Sequence, residues 1–275
     1  MNIWLAISIG WLIMAIVMSA MWWLQRKSGD AGIVDIAWGL GVAGLAVFFT
    51  LVATDGNTGR RFLIGLLAVL WAVRLSGYIF YRVLTMPEDG RYQEMKQRWA
   101  EQTDWRMFRF YQFQAFASLL FALPMLIAAQ NNCPLGILDA LAILIWIVAI
   151  AGESLADWQL SKFRSQPTNK GKVCQSGLWA YSRHPNYFFE WIHWWSYVVL
   201  AVGAPWWGLT LFFPMAMLFF ILKVTGIPPT EAQSIKSRGD AYRKYQQTTS
   251  AFFPWPAKKS AQLVTHSKEI MHDSK

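Results

Sequence analysis

The chain has 275 residues, 55% of them hydrophobic and 15% charged, with a formal net charge of +9. That balance is too apolar and too poor in charge for a soluble globule, the apolar content excludes disorder, and two cysteines exclude a disulfide scaffold. What remains is an integral membrane protein.

A helix needs about 20 apolar residues to cross the hydrocarbon core. Seven stretches approach that: Ile3–Leu24, Ile33–Ala53, Phe62–Leu84, Phe113–Ala129, Ile137–Ala156, Tyr187–Val202 and Trp207–Val224. The first lacks the basic start and small-residue cleavage site of a signal peptide, so it is expected to be retained. No alternating pattern of barrel type is present. The expectation is an all-α, polytopic seven-transmembrane helix bundle.

Lys and Arg set its orientation. Of the 25 such residues, all save Arg60, Arg61 and Arg74 fall after spans 1, 3, 5 and 7. This places the N-terminus outside and the C-terminus in the cytoplasm. Cys133 and Cys174 then lie on opposite faces and cannot pair, and neither has metal-ligand spacing to a second thiol or histidine. No metal is expected. Nucleic acid is excluded as a partner because the basic residues are divided among loops. The chain reads as one domain over residues 1–257, followed by a polar cytoplasmic tail over 258–275.

Ionisable groups at membrane depth are costly and point to function. Arg74 interrupts span 3, sharing a face with Tyr78 and nearly with Trp71; it either pairs with Asp35 or Asp157 or faces a ligand, and the ligand-facing role is favoured. Glu153 and Asp157 stand four apart at the inner end of span 5, either as a carboxylate pair for acid–base work or simply solvated or paired with Arg164. Asn186, Glu190 and His193 share a face of span 6, where His193 alone reads as a packed histidine. Asp35, beside Trp38 in span 2, could offer a hydrogen bond to a carbonyl. Arg164, Lys170, Lys172, Arg183 and His184 form a basic rim able to hold lipid head groups or a phosphate-bearing cofactor. The string Gly39-Leu-Gly41-Val-Ala-Gly44 matches a dinucleotide fingerprint, but within an apolar span it reads as close helix contact instead.

The segment GLWAYSRHPNYFFE (177–190), with Arg183-His184-Pro185-Asn186-Tyr187 and then Glu190, resembles an element shared by steroid 5α-reductases, sterol reductases and isoprenylcysteine carboxyl methyltransferases. The segments DWQLSKFR (157–164) and YRKYQQTTSAFFP (242–254) resemble the first of these. GIVDIAWGLG (32–41) is similar to their bacterial, DUF1295-type branch, and the likeness spans about residues 30 to 257.

The resemblance implies NADPH-dependent reduction of the C=C bond of a Δ4-3-oxosteroid or similar enone lipid, by a monomer in a bacterial inner membrane. It places the lipid substrate mainly over 1–130 and the cofactor, entering from the cytoplasm, mainly over 131–257. By position it implies cofactor contacts at Arg74, Tyr78, Glu153, Asp157, Arg164, Arg183, His184, Asn186, Tyr187, Glu190, Tyr242 and Tyr245. The family holds the ketone with a Gln-Glu pair on span 2 and a Tyr on span 3. Here Val34 precedes Asp35 and Trp71 stands near the Tyr position, so Asp35 is the expected donor, with Tyr78 or Tyr81 as substitutes. Asp35, Trp38 and Trp71 are the implied substrate contacts. A membrane methyltransferase using S-adenosylmethionine is the alternative, disfavoured by the 157–164 and 242–254 segments. A non-enzymatic lipid-binding protein is the second.

Overall fold

The computed structural model describes residues 2–258; most of the expected polar tail, 259–275, lies outside the described residues. The described chain is helical, without a strand, as the composition predicts. Ten α-helices follow in order: α1 (Ile3–Ser28), α2 (Ile33–Val52), α3 (Thr58–Thr85), α4 (Gly90–Trp99), α5 (Thr103–Ala129), α6 (Ile137–Arg164), α7 (Pro185–Ala201), α8 (Phe212–Phe219), α9 (Ile227–Arg238) and α10 (Asp240–Thr248). Local chemistry marks their ends. Asn2, Asn57 and Asp89 cap α1, α3 and α4 by accepting from the N–H groups of Trp4, Arg60 and Arg91. Gly29, with φ of 77°, closes α1 in the left-handed region.

Among the described residues, six helical stretches are long and apolar enough to cross a membrane. The remaining expected span corresponds to α7, whose 17 residues reach about 25 Å at 1.5 Å per residue. α1 exposes Trp4, Leu5, Trp11, Leu12 and Ile16 along its length. Such a surface would aggregate in water and is what lipid requires.

The helices form two compact units. The first comprises Met1–Ile147 and Ile192–Met217. Within it α2 packs against α1, α3 and α5, around Met14, Met18, Leu45, Phe49, Tyr111 and Leu119. The glycines of the dinucleotide-like string serve this packing: a Cβ on Gly39 would lie 2.8 Å from Ser76 Oγ of α3, and one on Gly41 2.3 Å from Met14 Cε of α1. Gly44 meets nothing and has no such role.

At one end of this unit Arg60 is buried, 4% exposed. Its Nε and Nη2 donate to the two Asp139 oxygens at 2.7 and 2.8 Å. Its remaining donors reach the carbonyls of Asn131, Cys133 and Pro134 at 3.1, 2.9 and 3.2 Å. Asn131 in turn donates to the carbonyls of Leu200 and Val202. One guanidinium thus fastens α3, the 130–136 turn and α6.

The second unit comprises Val148–Trp191 and the chain from Leu218. It contains the end of α6, the start of α7, and α9 packed on α10. Its last described segment runs beside residues 181–183. Arg183 N donates to Ser250 O at 2.8 Å, Ser182 Oγ to Phe252 O at 2.8 Å, and Trp255 N to Tyr181 O at 2.9 Å.

Candidate functional site

Each unit carries a polar cluster. In the first, Asp35 in the opening turn of α2 meets the segment after α3. Tyr92 donates its phenol hydrogen to Asp35 Oδ1 at 2.7 Å, and the Arg91 guanidinium lies 3.5 Å from Oδ2. Arg91 and Arg82 also grip Asp89, at 3.1 and 2.7 Å. Burial works to raise the Asp89 carboxyl, yet Arg91 and Arg82 hold it well below the usual carboxylate range. Nearby, Glu88 takes the Ala31 N–H at 2.7 Å and the Lys96 ammonium at 2.6 Å. Asp35, Arg82, Asp89 and Tyr92 border a cavity of about 10 Å³, room for a single water.

Deeper in the same unit the aromatic residues converge. Trp38 meets Trp71 edge-on with centroids 5.8 Å apart, and Trp71 stacks on His193 at 5.1 Å. The expected substrate contacts Trp38 and Trp71 are therefore brought together. His193 is fully buried, with Nε2 3.2 Å from the Tyr197 hydroxyl, in keeping with a packed histidine. Arg74 and Tyr78 lie one turn apart on α3, both half-buried.

In the second unit, Glu153 and Asp157 are buried one turn apart on α6. Asn186, near the start of α7, donates to Asp157 Oδ1 at 3.1 Å, joining two segments that the sequence links only through resemblance. Glu190 follows one turn later on α7, half-buried, and Arg164 lies exposed at the end of α6.

The other motif residues close on a residue that the motif reading omits, Glu231 of α9. Arg183 Nε donates to Glu231 Oε1 at 2.7 Å, with His184 Nε2 3.2 Å and the Tyr242 hydroxyl 3.4 Å from the same oxygen. Gln246 Nε2 donates to Oε2 at 2.6 Å. Burial holds the His184 imidazole below its ordinary value although the Glu231 bond and charge oppose this. Tyr187 stacks on His184 at 5.3 Å and meets Thr230 through its hydroxyl at 3.1 Å. Tyr245 is buried and donates to the carbonyls of Trp179 and Ser182. Arg183, His184, Tyr187, Tyr242 and Tyr245 thus hold the 177–187 segment to α9 and α10.

The sequence carried one signal for Glu231: it is the sole carboxylate between Glu190 and Asp240. Tyr92 and Arg91, the partners of Asp35, carried none, since they lie in a segment that read only as a basic loop. Among the described residues no group of His, Cys, Asp and Glu could hold a metal ion.

No curated protein and no solved structure matches this chain. A family model does, that of the proteins of unknown function designated DUF1295, over residues 21–249. That match takes in the Asp35 segment, the Asp157–Asn186 contact and Glu231, and the chain belongs to the DUF1295 family.

Proposed function

We propose that this protein is a steroid 5α-reductase-like oxidoreductase that uses NADPH to reduce the C=C bond of a Δ4-3-oxosteroid or similar enone lipid. In this reading it lies in a bacterial inner membrane as a monomer. α7 supplies a seventh span, the N-terminus is outside, and the cofactor side is cytoplasmic. The observation that carries the reading is the bond between Asp157 and Asn186. It unites the α6 and α7 segments that resemble the reductases, beside a second buried carboxylate, Glu153.

The donor set suits an anionic dinucleotide. Lys162, Arg164, Lys170 and Lys172 are exposed at and beyond the end of α6, placed to meet phosphate oxygens, with Arg164 able to do so bidentately. Glu153, Asp157 and Glu190 are acceptors for ribose hydroxyls and the carboxamide, and Asn186 is held in register by Asp157. Arg74 and Tyr78 are the further cofactor contacts that the family resemblance implies. Arg183, His184 and Tyr242 act through the Glu231 lock, Tyr245 through the carbonyls of 179 and 182 and Tyr187 through Thr230, keeping the start of α7 in place.

When bound, the coenzyme supplies hydride to the β carbon of the enone. Negative charge then grows on the ketone oxygen, where a donor in a dry site stabilises it best, and solvent or a side chain protonates the α carbon. Asp35 is assigned that role, with the Tyr78 phenol as the alternative and Trp38 and Trp71 as the apolar wall. Asp35 accepts from Tyr92 and faces Arg91, so donation to the ketone at this position requires the Tyr92 hydrogen to turn from Asp35 to the substrate oxygen. The space beside Asp35 takes one water.

Incubation of membranes with NADPH and a panel of enone sterols, followed by enone absorbance and product mass, tests the activity. Turnover of at least one enone is expected. Asp35→Asn is expected to lower that turnover about 100-fold while NADPH binding is retained. Unchanged turnover removes Asp35 from the role, and saturation of no enone overturns the reading.

A further inference from the structure

The ends of α1 and α5 form an aromatic and basic band within the first unit. Trp22 Nε1 donates to Asp104 O at 3.1 Å, and its ring lies edge-on to Phe108 at 5.1 Å. Arg26 sits 5.2 Å over the Trp22 ring and the Lys27 ammonium 3.7 Å over that of Trp23. Such a mixture of tryptophan and cationic side chains at span ends belongs at the membrane–water boundary.

Next to this band a groove of about 480 Å³ is lined by Trp99, Gln102, Trp105, Arg106, Arg109 and Phe110. Trp105 is 62% exposed. The neighbouring arginines are paired with carboxylates: Arg26 with Asp104, Arg98 with Glu94, Arg82 with Asp89, and Arg91 with Asp89 and Asp35. Those of the groove are not. Arg106 donates to Gln102 at 2.9 Å, and neither it nor Arg109 pairs with a carboxylate among the described residues. Depth agrees with the chemistry. Arg109 precedes the apolar stretch starting at Phe113 by four residues, about 6 Å of helix, which is the thickness of one headgroup layer.

We propose that this groove seats the headgroup of an anionic phospholipid from the surrounding bilayer. Arg106 and Arg109 take the phosphate, with the planar donor forks that suit it. The rings of Trp99, Trp105 and Phe110 take the glycerol and first methylenes. The proposal is independent of the reductase reading.

Native mass spectrometry of the full chain, released from detergent with equal phosphatidylglycerol and phosphatidylcholine, tests it. The unsubstituted protein is expected to retain phosphatidylglycerol preferentially. R106Q/R109Q is expected to lower that preference about thirtyfold, at about fivefold per arginine, while R98Q leaves it intact. Trp105→Ala is expected to weaken retention of both lipids. Arg109→Gln alone, at the groove surface, carries the same test if the double variant does not fold. The proposal is overturned if the unsubstituted protein retains both lipids equally or if the arginine variants keep its preference. Displacement of the lipid by excess inorganic phosphate, with no effect of Trp105→Ala, also overturns it in favour of a free-phosphate site.

Discussion

Replacing Arg60 with Ala is expected to lower stability in detergent micelles by about 3–5 kcal/mol, the cost of leaving one member of a buried ion pair behind. The geometry explains the size. The Arg60 and Asp139 side chains are 5% and 8% exposed, and Arg60 satisfies both Asp139 oxygens and three backbone carbonyls. Removing it strands the Asp139 charge and unpins the 130–136 turn from α3. Asp139→Asn keeps an acceptor and should cost less. Arg60→Met with Asp139→Leu, which removes both charges, should recover part of the Arg60→Ala loss, as buried pairs replaced by apolar groups do. Thermal unfolding followed by tryptophan fluorescence measures all three. A loss below about 1 kcal/mol for Arg60→Ala, the range of a surface pair, would show that the pair is solvated.

Glu231→Ala is expected to cost a similar amount, about 3–5 kcal/mol, in the second unit. The Arg183 and Glu231 side chains are 10% and 13% exposed, and the truncation leaves the Arg183 guanidinium with only the carbonyls of Gln246 and Thr249. His184, Tyr242 and Gln246 lose their acceptor together. Glu231→Gln retains one acceptor oxygen and should cost roughly half as much. The readout is protease sensitivity of the 177–187 segment together with the unfolding midpoint. Equal midpoints for Glu231→Ala and the unsubstituted protein would contradict the Glu231 lock.

These two residues mark the limit of what the sequence discloses. The helices and the apolar faces of α1, α2, α3, α5 and α6 follow from local composition, because each is decided within a few neighbouring residues. The reading of Gly39 and Gly41 as packing positions also follows from local context. Arg60 with Asp139 is different: the partners are 79 positions apart, and Arg60 reads from sequence only as one of two basic residues in a short loop. Asp35 with Tyr92, 57 positions apart, is the same case.

The candidate site divides along this line. Asp157 and Asn186 were each legible as polar groups at the ends of their own spans, and the structure adds the bond between them. The role of Arg183, His184 and Tyr242 was not legible, because a motif names the residues of one segment and omits the carboxylate of another that holds them. α7 shows a further limit. Its hydropathy marks a span, but with 17 residues it is shorter than the six stretches that reach span length.

The most direct test of the account is saturation binding of NADPH to the purified full-length protein, with S-adenosylmethionine titrated in parallel. Saturable NADPH binding is predicted, lost in Asn186→Ala and in Glu190→Gln while both variants stay folded. Binding of S-adenosylmethionine with no response to NADPH would contradict the account.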